Sequence, residues 1–388
     1  MTVLETRRPG FDANLTLDEE TETPSPDKPM RPARTLPGAP WELIGSAFAA
    51  VALVSLVFGV VGSHPWVGMA ICAVVAFLVL YGVVTRLLHG ADITKDRLGA
   101  IYVWVGGIIA LFPLLQIVWT VTARGAPVVF SHFPKFLTND AVLGGAAEPV
   151  WDSGVGHAIV GTAEQVGIAT LLSVPVALLT AVYLSESKSR AAPVLRLIVD
   201  AMMGTPSIVA GLFVYLFWVQ PRGVAGFSGF ACSIALAILM LPLMIRTAEE
   251  VIRVVPGSLR EAGYALGAPN WRVTLRVVLP TVRTGLITAV ILGIALAVGE
   301  TAPALFTAKG SEYYNFNAFH GVQADLPLQV FTNIRSSSNT LRAEGYGGAF
   351  VLVFLVLSLF VVARIVGSGT SVRRRIFRRR RSKEVPAP

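Results

Sequence analysis

Beyond its first forty residues the chain is a succession of eight long apolar stretches, at about 42–62, 66–88, 98–122, 157–184, 194–218, 229–251, 284–308 and 346–367, parted by polar breaks. Each approaches or exceeds the ~20 apolar residues that cross a hydrocarbon core. Lipid offers the backbone no hydrogen-bond partners, so stretches of this kind satisfy their own N–H and C=O groups as helices. The sequence therefore predicts an all-α integral membrane protein, a polytopic bundle of about eight transmembrane helices. Composition excludes the soluble alternative: 54% of residues are hydrophobic and 14% charged, against about 45–50% and about 25% in soluble domains.

Charge then predicts orientation. If the N-terminus is cytoplasmic, 26 of the 32 basic residues fall in inside segments, and Arg124, Lys135, Arg222, Lys309, Arg335 and Arg342 fall outside. That asymmetry is a positive-inside signal, and an even number of spans places both termini in the cytoplasm. Residues 1–40, with seven prolines, read as a disordered tail. The basic run Arg373 to Arg381 in the tail 368–388 follows a membrane helix directly, so it reads as an anchor on anionic lipid and not as a nucleic-acid site. Cys72 and Cys232 lie in apolar runs and read as small buried hydrophobes. The five histidines are scattered and no metal-ligand spacing occurs.

The loop 252–283 carries a pattern. Glu261-Ala262-Gly263 is followed by Gly267 and then by Val277-Val278-Leu279-Pro280. Small residues there permit close backbone approach, Glu261 offers a carboxylate near a helix start, and one or two short helices are predicted between Gly257 and Val278. This loop resembles the coupling loop of bacterial ABC importer permeases. Leu241 to Glu250, Gly299-Glu300-Thr301-Ala302-Pro303, Gly204 to Phe213 and Gly154 to Thr162 extend the likeness, and together they resemble the PstA-type permeases of phosphate ABC importers over Gly154 to Gly367, with a weaker fit back to about Leu98.

The resemblance implies a type I ABC importer-like fold with a six-helix permease core at 98–367, to which the helix pair within 41–90 is an addition. It also implies a multi-pass bacterial plasma-membrane subunit that joins a second homologous, PstC-type permease, two PstB-type ATPases and an extracytoplasmic PstS-type phosphate-binding protein. No G-x-x-x-x-G-K-[ST] loop occurs in this chain, so ATP and magnesium are expected on the ATPase, no cofactor on this subunit, and no catalysis by it. Glu261, Ala262, Gly263 and Gly267 would meet the ATPase. Glu164-Gln165 stands where the family tends to be apolar, and the sequence offers no role for it.

Moving an anion across ~30 Å of hydrocarbon requires cations and donors turned away from lipid. Arg246 is the first candidate because guanidinium binds phosphate oxygens bidentately, and Glu249 and Glu250 share its helix face. The alternative is a positive-inside residue with local ion pairs. Glu300, placed well inside the seventh helix, is expected to pair with Arg246 or to sense phosphate protonation, or else to hydrogen-bond backbone freed by Pro303. Gly204-Thr205-Pro206-Ser207 breaks the fifth helix, either exposing anion-binding donors or forming a packing kink. Thr205, Ser207 and Thr301 join the candidate pathway. Competing readings are a permease for another oxyanion and an ion-gradient-driven secondary transporter, which calls for matched broken helices in inverted repeats.

Overall fold

The computed structural model describes residues 40–61, 66–141, 153–187 and 189–381. The described residues are mostly helical, and eight helical stretches are long and apolar enough to span a membrane, two of them, Ser207–Gly226 and Asn270–Val298, built of consecutive helical segments. The expected tail 1–40 lies outside them, except that Pro40 opens the first helix, and residues 382–388 also lie outside.

The chain forms two units, Met1–Leu111 and Phe112–Pro388. In the first, α1 (Pro40–Val61) and α2 (Trp66–His89) pack as a pair and are followed by the opening turns of α3 (Ala91–Ser131). Glu42 is buried and accepts Arg97 Nη1 at 2.8 Å, with His89 Nε2 3.6 Å from its other oxygen. Phe48, Leu56, Ile71 and Trp104 are exposed, as side chains facing lipid must be. Cys72 is exposed too, whereas Cys232 is buried. The expectation fails for Cys72 because a thiol pointing at hydrocarbon needs no protein around it.

The second unit continues α3 and adds α4 (Lys135–Thr138), α5 (Gly156–Glu186), α6 (Ala191–Met203), α7 (Ser207–Val214), α8 (Gly229–Arg253), α9 (Gly257–Ala265), α10 (Asn270–Val273), α11 (Leu279–Val298), α12 (Ala302–Thr307), α13 (Leu326–Ile334) and α14 (Asn339–Arg381). Its centre is the seam between α5 and α8. Ala169, Ala177, Cys232, Leu236, Met240 and Met244 form one buried cluster there. In lipid, close packing replaces the hydrophobic drive between helices, and small residues permit it. A Cβ on Gly285 would lie 2.5 Å from Val251 Cγ1, and one on Gly293 would collide with Met244, so these glycines set how tightly α11 meets α8.

Two helices exceed their predicted spans. α3 has 41 residues, about 60 Å at ~1.5 Å per residue, because the charges that suggested breaks find partners alongside it. Arg97 goes to Glu42, while Arg124 lies over the Tyr346 ring and donates to its hydroxyl at 3.0 Å. The last helix, expected to end at 367, runs to Arg381, consistent with the good helix propensity of arginine.

Candidate anion pathway and coupling element

Spacing on α8 puts Arg246, Glu249 and Arg253 on one helix face. Glu249 is only 1% exposed, and a carboxylate so placed requires charged partners. It has three. Its Oε1 accepts Arg196 Nε and Nη2, at 3.1 and 2.7 Å, and Arg253 Nη2 at 2.6 Å, while its Oε2 accepts Arg246 Nη1 at 3.1 Å. Arg196 comes from α6, as does Asp200 one turn later, and Arg246 gives both Nε and Nη2 to Asp200 Oδ1. Three guanidiniums against two carboxylates leave this cluster one net positive charge, suited to an anion.

Glu249 thus sits at the hub beside Arg246, but Glu250 points outward and is exposed. Asp200 is exposed as well, yet it is committed to Arg246. Arg196 and Arg253 were missed. Arg253 was within reach, four residues beyond Glu249 on the same helix, whereas Arg196 is 53 residues away in sequence and only the packing of α6 on α8 brings it in.

Two interrupted helices lie beyond the cluster. Turns at Gly204–Pro206 separate α6 from α7, and Gly299–Thr301 separate α11 from α12. The short helices after the two breaks touch, since a Cβ on Gly211 would sit 3.2 Å from Pro303 Cα and 3.3 Å from the Ala302 carbonyl. Thr205 and Ser207 therefore belong to one break, Glu300 and Thr301 to the other. Glu300 is not inside a continuous helix as expected: α11 ends at Val298, because Gly299 and the Pro303 that follows both weaken helix continuation. Nor does Glu300 pair with Arg246, whose guanidinium is taken by Asp200 and Glu249. Half-buried at its break, it has no side-chain hydrogen bond or ion pair among the described residues.

At the end of the bundle where α8 stops, α9 buries none of its residues. Glu261 and Ala262 face outward. Gly263 lies against the helix that follows, where a Cβ would come 3.0 Å from Val273 Cγ2, and Gly267 has φ +74° in open space, a left-handed conformation that glycine alone adopts freely. Arg260 fastens the element. It donates to the Val255 and Ile252 carbonyls at the end of α8, at 2.8 and 3.1 Å, and to Glu186 Oε1 on α5 at 3.0 Å.

These features fall within residues 173–372, which match the family described as binding-protein-dependent transport system inner membrane component. Curated relatives named phosphate transport system permease protein carry the match over most of their length. PstA 1 of Mycobacterium tuberculosis (strain ATCC 25618 / H37Rv) is 37% identical over 283 residues, 73% of this chain and 90% of that protein. The chain belongs to this permease family. PstA of Pasteurella multocida (strain Pm70) is 32% identical over 70% of this chain and 94% of its own length, and PstA of Haemophilus influenzae 33% identical over 70% and 92%. A solved structure of the MetNI methionine ABC transporter, in inward-facing conformations, overlays with a TM-score of 0.45 at 20% identity, over 54% of this chain and 93% of that one.

At the opposite end of this permease the Glu164-Gln165 pair has a place. Gln165 Nε2 donates to Gln323 Oε1 and to the Ala324 carbonyl, at 3.1 and 3.0 Å, and Gln323 Nε2 donates to Glu164 Oε2 at 2.6 Å. One turn earlier Thr162 Oγ1 donates to Asp325 Oδ1 and accepts Leu326 N. A Cβ on Gly161 would strike the Ala324 carbonyl. The start of α5 thus grips the loop that enters α13. Burial pushes the Asp325 carboxyl up from 3.8 to about 7, against hydrogen bonds from Leu328 and Thr162 that favour its charged form.

Proposed function

We propose that this chain is the membrane permease subunit of an ATP-driven inorganic phosphate importer. The observation that carries the reading is the mechanical continuity from α9 to the arginine cluster: Arg260 ties the exposed, small-residue helix to α5 and α8, and α8 also holds Arg246, Glu249 and Arg253. A push on α9 reaches an anion-binding face through two rigid helices.

In this reading Glu261, Ala262, Gly263 and Gly267 form the dock for an ATPase subunit, which supplies ATP and magnesium. Arg246, held by Glu249, attracts the anion. Thr205, Ser207, Glu300 and Thr301 at the two breaks line its route, and Glu250 stands at the edge of the cluster. The chain works beside a second homologous permease, two ATPases and an extracytoplasmic phosphate-binding protein, with both termini, the 252–283 loop and the basic 368–388 tail in the cytoplasm. The helices within 41–90 are an addition to the transport core of 98–367. The curated relatives support phosphate as substrate, and the 26-to-6 distribution of basic residues supports the orientation.

The test is radioactive phosphate uptake by the assembled complex in proteoliposomes with sulfate and molybdate as competitors, beside the Glu261→Arg variant. Uptake competed by phosphate alone, with the ATPase lost on Glu261→Arg, supports the reading. Competition by sulfate or molybdate assigns another oxyanion, and transport by the chain purified alone refutes ATP coupling.

A further inference from the structure

The arginine cluster is unequal in how it holds its two carboxylates. Glu249 has a 2% exposed side chain and serves Arg196, Arg246 and Arg253 at once. Asp200 has a 44% exposed side chain, and Arg246 is its one partner among the described residues. Taking a buried carboxylate from three guanidiniums strands charge in a poor dielectric. Parting an exposed ion pair costs little, because water and ions take its place.

Arg246 presents two edges. Nη1 faces Glu249, while Nε and Nη2 together form a fork closed on a single oxygen of Asp200. A tetrahedral oxyanion fits such a fork with two oxygens, one per nitrogen, and forms parallel charge-assisted bonds. We propose that Asp200 is a surrogate anion: its carboxylate occupies the Nε and Nη2 edge of Arg246 until phosphate displaces it.

This rests on the reading of Arg246 as part of a phosphate pathway and adds a named competitor to it. The exchange has an electrostatic logic. With Asp200 or phosphate on the fork, Arg246 is neutralised throughout, so no uncompensated guanidinium is left at a membrane helix. It also has a mechanical one. Asp200 lies on the last turn of α6, four residues before Gly204 in the α6–α7 break, and its bond to Arg246 ties that turn to α8. Displacement releases the end of α6 beside its own hinge, so the arriving anion loosens the helix it has to pass.

The experiment uses the full complex in nanodiscs without the binding protein and measures equilibrium binding of radiolabelled inorganic phosphate, together with KM and maximal rate for uptake by the complete system. Asp200→Asn keeps the shape and removes the competing charge. Phosphate binding should tighten about two- to fivefold, with KM and maximal rate falling together because the bound anion is no longer expelled. Asp200→Glu should restore wild-type values, and Asp200→Ser should behave as Asn does. A merely structural Asp200 predicts weaker or unchanged binding in Asn and Ser, and either result overturns the proposal. Tightened binding that survives an added Arg246→Gln also overturns it. If Arg246→Gln alone leaves binding and uptake unchanged, the pathway reading itself fails. If Arg246→Gln abolishes both while Asp200→Asn is neutral, the surrogate alone fails.

Discussion

Arg260 and Glu186 meet at 3.0 Å between α9 and the last residue of α5. The same guanidinium holds two carbonyls at the end of α8, so one side chain joins three helices. Arg260→Ala removes the joint without touching either the outward face of α9 or the arginine cluster. The expected outcome is a complex that still assembles and hydrolyses ATP but moves phosphate at about a tenth of the native ratio of transport to hydrolysis or less. Parallel uptake and ATPase assays check it, and a normal ratio removes Arg260 from the transmission path.

Glu249→Gln should harm stability as well as transport. It leaves Arg196, Arg246 and Arg253 without their common carboxylate. Breaking a buried ion pair costs roughly 3–5 kcal/mol, and the partial exposure of the arginines places this case at or below the lower end. Thermal unfolding of the purified complex should show the loss, and Glu249→Asp should recover part of it. A Gln variant as stable as the native chain would show that the arginines need no central anion.

Gly267 tests the coupling element from the backbone side. At φ +74°, with nothing within 4 Å of where a Cβ would stand, Gly267→Ala suffers conformational strain without a clash, about 1–2 kcal/mol. Gly267→Asn should cost less, because asparagine tolerates the left-handed region. Since α9 buries nothing, the strain should appear as a several-fold loss of ATPase co-purification while the melting temperature of the membrane core stays within a degree or two. Equal behaviour of Ala and Asn would contradict the conformational explanation.

Asp325 gives a pH dependence with a defined sign. Its carboxyl is raised from 3.8 to about 7 by burial, so across that interval the folded chain keeps a proton that the unfolded chain has released. The folded form is therefore favoured below about pH 4, and the advantage is lost as pH rises to about 7. Asp325→Asn should flatten the fall in melting temperature over this interval. The same slope in both proteins would mean that the carboxylate is ionised throughout.

The eight apolar stretches made the membrane fold legible, since length and the absence of water leave the backbone no other conformation. Helix ends were less so. Arg97 and Arg124 look like boundaries in sequence but are absorbed by Glu42 and Tyr346, through pairings that local pattern cannot reveal. The coupling element was readable because Gly263 and Gly267 answer to local geometry. Of the arginine cluster, only Arg246 and Glu249 were visible, while Arg253, one turn further along the same helix, was passed over. Arg196 and Asp200 reach it from another helix, and Gln165 and Gln323 meet across 158 residues. Glu300 was misplaced for the opposite reason: hydrophobicity carries on past Gly299 while the helix does not.

Helix α9 contributes no buried side chain to the fold; Arg260 and the glycine turn hold it from one side only. Its outward residues can therefore change without disturbing the membrane bundle. Pairing with a particular ATPase can drift over evolutionary time, or be re-engineered by exchanging that helix surface, while the machinery that handles the anion is inherited intact.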